Sequence, residues 1–201
     1  MPWSDKTVRS FQKVPVNPSA ADFRGPYNKL LYTLFPADTD YTITWHHTPN
    51  SREATNFLLL HEVSLEDKPV FVLELKPPQD LRYPSTRGDA DRQIRRRLHD
   101  LQSWSLLNFL FFLGGIALTA FNNIAECPLP VLHGVSAIGT RLCFYKKYRD
   151  WPIEPPFIPA HPDLQTNGAP PERWDCDILD DEGERRFLSM VEEIKQACAA
   201  L

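Results

Sequence analysis

Pro69-Val70-Phe71-Val72-Leu73-Glu74-Leu75-Lys76-Pro77-Pro78 decides how this chain is read. Val70 to Leu75 is rich in β-branched and aromatic residues and is closed by a Pro pair, which predicts a buried strand. Two charges, Glu74 and Lys76, fall at its end. Residues two apart on a strand share a face, so these side chains project together beside Val70 and Val72. Burying a carboxylate and an ammonium is costly unless they are paired or bind something. Two readings are open. In one, Glu74 holds a hard divalent cation and Lys76 helps polarise a water. In the other, the charged end of an edge strand faces solvent.

Working outward, Asn56 to Val63 predicts a strand, and Glu66-Asp67-Lys68 a turn. The two strands then form a hairpin. Before them, Thr39 to His46 alternates with Tyr41, Ile43 and Trp45 on one side and Asp40, Thr42, Thr44 and His46 on the other. Earlier still, Ser19-Ala-Ala-Asp22 can cap a helix in which Leu30, Leu31, Leu34 and Phe35 share a face and which Pro36 ends. Met1 to residue 18 is polar and Pro-punctuated and reads as an irregular arm.

Downstream, Asp89 to Asp100 predicts a helix with acids in its first turn. Arg92, Arg95, Arg96 and Arg97 make it locally basic. It is either a solvated face with i,i+3 and i,i+4 charge pairs or a helix that contacts phosphates. Leu101 to Ala125 carries no charged side chain. Its length meets the usual threshold for a membrane span, with 105–121 at its centre. Asn108, Gly114-Gly115 and the polar flanks favour a core helix instead. Val131 to Tyr145 predicts one long strand or two broken at a glycine. Residues 151–171 are Pro-rich and read as a tail wrapping the core. Asp181 to Ala199 predicts a terminal helix buried through Phe187, Val191 and Ile194.

With 201 residues the chain has enough length for a sizeable core, and nineteen prolines argue against a helical bundle. A net charge of −4 gives no global attraction to nucleic acid, so any such contact must be local. The four cysteines lack a C-x-x-C pair, which predicts reduced thiols in an intracellular protein. No secretory signal opens the sequence. The expected place is cytoplasm or nucleus, with a single-pass membrane protein as the alternative. The organisation expected is an arm at 1–18, a core at 19–150 with an apolar helical insert at 101–125, and a tail with helix at 151–201.

The element order, with Glu-x-Lys on the third strand, resembles the core of the PD-(D/E)XK nuclease superfamily over about Ser19 to Tyr145. The resemblance implies an α/β fold with an αβββαβ core and a mixed sheet. It implies that Glu74 binds Mg²⁺, that Lys76 assists the attacking water and that Gln93 completes the site. Nucleic acid is the implied partner, met through Arg92, Arg95 and Arg96. More narrowly, Val70 to Pro78 and Leu132 to Tyr145 resemble a group of proteins from mushroom-forming (basidiomycete) fungi that has no assigned activity. In that group the basic helix runs straight on to Cys127-Pro-Leu-Pro130, so the apolar stretch is an insert peculiar to this chain or a gene-model error.

The superfamily also places a metal-binding Asp on the second strand. A turn centred near Glu66 pairs residue i with residue 132 − i, so Leu58 faces Glu74 and Asn56 faces Lys76. The Asp position then holds Asn56, which can ligate Mg²⁺ through its amide oxygen but supplies no charge. Glu62 has the right face but lies toward the turn, and His46 lies nearer the site. The expected function is Mg²⁺-dependent phosphodiester hydrolysis or nucleic-acid binding. The alternative is an inactive interaction module, membrane-associated through 105–121.

Overall fold

A computed structural model describes residues 3–49, 57–102, 127–159 and 169–201. The chain builds an α/β fold on a mixed sheet. After β1 (Tyr41–Pro49) come β2 (Phe57–Leu65) and β3 (Lys68–Lys76), then β4 (Val131–Ile138), β5 (Arg141–Tyr148) and the two-residue β6 (Cys176–Asp177). The sheet order follows the chain, β1-β2-β3-β4-β5-β6. Only the β3–β4 pair is parallel. A parallel pair needs a crossover, and helix α3 (Pro84–Gln102) supplies it. The helix–strand order of the expected αβββαβ core is therefore present, followed by a further hairpin strand.

β3 lies in the middle of the sheet, and from Pro69 to Lys76 every residue is buried. Helices cover both faces, which explains why the strand reads as a continuous apolar run rather than an alternation. One face carries α3, which approaches closely where Gly134 leaves room for the Leu98 side chain. The other carries α2 (Arg24–Leu34) and α4 (Asp181–Ala199), joined by Phe35, Phe71 and Phe187 in ring contact. Ser19 and Asp22 cap the turn before α2, with the Ser19 N–H and Oγ both donating to the Asp22 carboxylate.

The arm expected at 1–18 is ordered instead. α1 (Asp5–Gln12) starts at a Ser4 cap. Trp3 and Phe11 are core residues, because Trp3 Nε1 donates to the Ile178 carbonyl at 2.6 Å and Phe11 packs edge-on against Tyr27. The sixth strand was also not foreseen. It pairs Arg141 with Asp177 and Leu142 with Cys176. Gly183 lets α4 sit against it, since a Cβ there would lie 1.8 Å from the Asp177 carbonyl oxygen.

The Pro-rich tail runs beside β5, where Lys146 and Glu154 exchange backbone hydrogen bonds, and reaches the side of α3. The apolar stretch centred on 105–121 falls outside the described residues. Its flanks meet: the Cys127 N–H donates to the Leu101 carbonyl at 2.9 Å. Among the described residues no helix is long and apolar enough to cross a membrane. All four cysteines are free and buried.

Candidate functional site

The C-terminal end of β3 places Glu74 and Lys76 side by side under α3. Glu74 is wholly enclosed, with 0% exposure, and among the described residues neither carboxylate oxygen has a hydrogen-bond partner. Among the described residues its charged contact is Lys76 Nζ, 3.4 Å from Oε1. The Lys76 ammonium is directed elsewhere: it donates to Oε1 of Gln93, in the third turn of α3. The three residues taken from the sequence as catalytic, Glu74, Lys76 and Gln93, are thus brought together.

Burial dominates the electrostatics here. It pushes the Glu74 carboxyl up to about 7, against the pull of the adjacent Lys76 ammonium. Asp80, in the 3₁₀ turn Pro78–Arg82, is the acid that the sequence reading passed over. Burial raises its pKa, and it acts on the Glu74 charge while feeling that of Lys76. Its only sequence signal is its position four residues past Lys76, in a Pro-led turn.

The hairpin register differs from expectation. Leu60, not Leu58, faces Glu74. Two features cause the shift. The turn uses two residues, Glu66 and Asp67, both at positive φ, without the glycine that normally marks such a turn. The register also slips between Val63 and Ser64. The turn and the slip each shift the register by one, so together they leave the faces unchanged. Asn56, the second residue assigned to the metal, lies outside the described residues. Glu62 points to α3, where Arg97 binds it at 2.6 Å.

The basic helix splits into two sets of arginines. Arg92 and Arg96 are exposed, with Arg92 paired to Asp89. Arg95 is committed inward: it forks onto both Asp91 oxygens at 2.8 and 3.0 Å and donates to the Ile153 and Pro155 carbonyls of the tail. The buried Asp91 also accepts from Arg173 at 2.6 Å and from the Tyr145 hydroxyl at 3.0 Å. Asp91 therefore fixes α3, β5 and the tail together.

The opposite face holds a cleft of about 230 Å³ lined by His133, Lys146, Arg185, Arg186 and Glu193 among others. Its cations already have acids: Lys146 reaches Glu193, Arg185 reaches Glu182 and Arg186 reaches Asp175, each at 2.7 Å. Burial pushes the His133 imidazole down to about 4, so it sits there neutral.

No protein-family model, curated protein or solved structure matches the chain.

Proposed function

We propose that this chain is a nuclease-like protein of PD-(D/E)XK type that binds a divalent cation, Mg²⁺ first, at Glu74 and hydrolyses phosphodiester bonds in nucleic acid. The observation that carries the reading is the Glu74 carboxylate, fully buried, with the Lys76 ammonium 3.4 Å away and no hydrogen bond to either oxygen among the described residues. A buried charge with open lone pairs calls for a cation or a proton. Mg²⁺ fits this donor set, because it is held by one or two carboxylates and keeps several waters. Among the described residues no three His, Cys, Asp or Glu side chains converge on one point, so a cage made wholly of protein is not the arrangement offered.

The bound cation would supply charge stabilisation at the phosphoryl group and favour ionisation of water. The chain's own residues do the rest. Lys76, steadied by Gln93, places a positive charge beside Glu74 where negative charge develops. Asp80 adds a second negative charge at the same end of β3. Arg92 and Arg96 present the exposed cations of α3 to a phosphate backbone, while Arg95 serves the tail instead.

A second reading is an inactive interaction module with the same fold, since fold alone does not confer activity. The enclosure of Glu74 and the absence of a converging three-ligand set among the described residues favour it. The experiment that separates the two is cleavage of single- and double-stranded DNA and RNA with and without Mg²⁺. Cation-dependent cleavage by the wild type, lost in both Glu74→Gln and Lys76→Ala, supports the enzyme. Equal cleavage in both variants removes the site assignment, and no cleavage by the wild type favours the module.

A further inference from the structure

The cleft between the β4–β5 hairpin and α4 lies across the sheet from Glu74. His133 and Lys146 stand opposite each other in the register and form its floor with Phe144. Arg185, Arg186, Met190 and Glu193 form the α4 wall. At about 230 Å³ the cleft is smaller than the roughly 300–1,000 Å³ that takes a drug-sized ligand, so its occupant is small. Charge is divided along it. Arg185 and Arg186 precede Glu193 by about two helical turns, which at ~1.5 Å per residue sets their backbones about 10–12 Å apart.

Each end keeps bonding capacity beyond its ion pairs. Arg186 gives Nη1 to Asp175, and Arg185 gives Nε and Nη2 to Glu182. A guanidinium carries five N–H donors, so both retain others. Neither acid lines the cleft, and both pairs are partly exposed, so they exchange partners at little cost. Arg186 lies over the Phe144 ring at 4.6 Å, which holds its guanidinium beside the cleft. At the other end, Lys146 Nζ and His133 Nε2 approach the same Glu193 oxygen, Oε2, at 2.7 and 3.7 Å. That leaves Oε1 to accept. His133 is only 4% exposed, and its contact with Glu193 is too long for a hydrogen bond. It forms no other hydrogen bond among the described residues. A buried polar ring without a bond asks for a reason, and this one lines the cleft.

Donors at one end and acceptors at the other, with Phe144 and Met190 as apolar walls, match a molecule of the reverse polarity. We infer that the cleft binds a small dipolar molecule, an amine bearing a separate anionic group, with the anion at Arg185 and Arg186 and the amine at Glu193 Oε1 and His133. A simple anion would meet the Glu193 carboxylate and leave His133 without a partner. A simple amine would leave the arginines unused. Two charges joined by a short aliphatic chain satisfy both ends, and the carbons lie against Phe144 and Met190. A carboxylate or a phosphate ester supplies the anion, since both accept the guanidinium fork. A neutral imidazole nitrogen accepts from the amine. The site stands apart from the reading of Glu74, whose partner Ser136 faces α3 while His133 faces α4.

The test titrates 4-aminobutyrate and 3-aminopropyl phosphate into the full chain. Binding is followed by calorimetry and by the His133 imidazole and Glu193 amide signals in nuclear magnetic resonance. Butyrate, propyl phosphate and propylamine are the half-ligand controls. At least one dipolar probe should bind saturably at millimolar concentration or below, about 10-fold or more tighter than either of its halves, and should move both signals. Glu193→Gln, first shown to melt cooperatively, removes the acceptor of the amine and frees Lys146. It should weaken the dipolar probe and strengthen propyl phosphate, opposite signs that a merely structural role for Glu193 would not give. Arg186→Gln should weaken the dipolar probe and propyl phosphate alike. Glu74→Gln should bind as the wild type does. Halves that bind as tightly as the dipolar probes overturn the dipolar assignment. No saturable binding of either dipolar probe, shifts confined to α3, or wild-type affinity in both Glu193→Gln and Arg186→Gln overturns the site.

Discussion

Asp91 and Arg173, 82 residues apart in sequence, meet at 2.6 Å in a nearly closed interior. That carboxylate is shared with Arg95 and the Tyr145 hydroxyl, so two guanidinium charges depend on one acid. Removing one partner of a buried ion pair costs about 3–5 kcal/mol, because the remaining charge stays uncompensated. Asp91→Ala should lose about that much in urea unfolding. It should also release the tail, read as faster proteolysis within residues 151–175. A loss below 1 kcal/mol with unchanged proteolysis would show that the latch does not hold the tail.

Glu74 makes stability depend on pH with a definite sign. Its folded pKa, about 7, lies above the unfolded carboxylate value of 4.5. The fold therefore prefers the proton, and stability present in full below pH 4.5 is lost as pH climbs through 7. In chelator, Glu74→Gln should gain on the wild type as pH rises, by about 2 kcal/mol between pH 5 and pH 8. Urea midpoints at both pH values check this. The difference between the two proteins isolates Glu74, because the buried His61 and His133 titrate with the opposite sign in both. A difference that shrinks with rising pH would place Glu74 in contact with more positive charge than Lys76 supplies.

His61 is 1% exposed, and among the described residues neither ring nitrogen has a hydrogen-bond partner. Burial, aided by Arg24, pushes it down to about 4. Its contribution is present above the unfolded pKa of 6.5 and is lost as pH falls through 4. Replacing an unsatisfied buried group by an apolar one of similar size is often neutral or stabilising. His61→Leu should gain about 1 kcal/mol at pH 8 and more at pH 5. A destabilised variant at pH 5 would mean that His61 has a partner when protonated.

Much of this architecture could be read from the residues, for identifiable reasons. Val70 to Lys76 announced itself as a strand because both faces are covered and the Pro pair closes it. Helix α4 was legible because Asp181, Glu182 and Glu184 crowd its first turn while Phe187, Val191 and Ile194 repeat on one face. Other elements gave too little pattern. α1 spans eight residues and buries only Thr7 and Phe11, too few to set a period. β6 has two residues, and pairing with Arg141 and Leu142 rather than alternation makes it a strand. The register was missed by two because Glu66-Asp67 turns without glycine and a further one-residue slip follows between Val63 and Ser64. The pairing of Ser136 with Glu74 could not be seen at all, because it exists only once β3 and β4 are aligned.

Gly183 offers a check on the packing of that terminal helix. A Cβ there would sit 1.8 Å from the Asp177 carbonyl oxygen, against backbone that cannot swing aside. Gly183→Ala should cost about 3 kcal/mol or more by forcing α4 off β6. A melting temperature within a degree or two of the wild type would show that the helix end is free to shift.

The claim that Glu74 is a cation ligand meets its most direct test in calorimetric titration of Mg²⁺ into the wild type and Glu74→Gln. The buried carboxylate, with no hydrogen bond to either oxygen among the described residues, predicts one saturable site in the wild type and none in the variant, with both proteins folded in chelator. Equal Mg²⁺ affinity in the two proteins, or no saturable binding in the wild type, would contradict it.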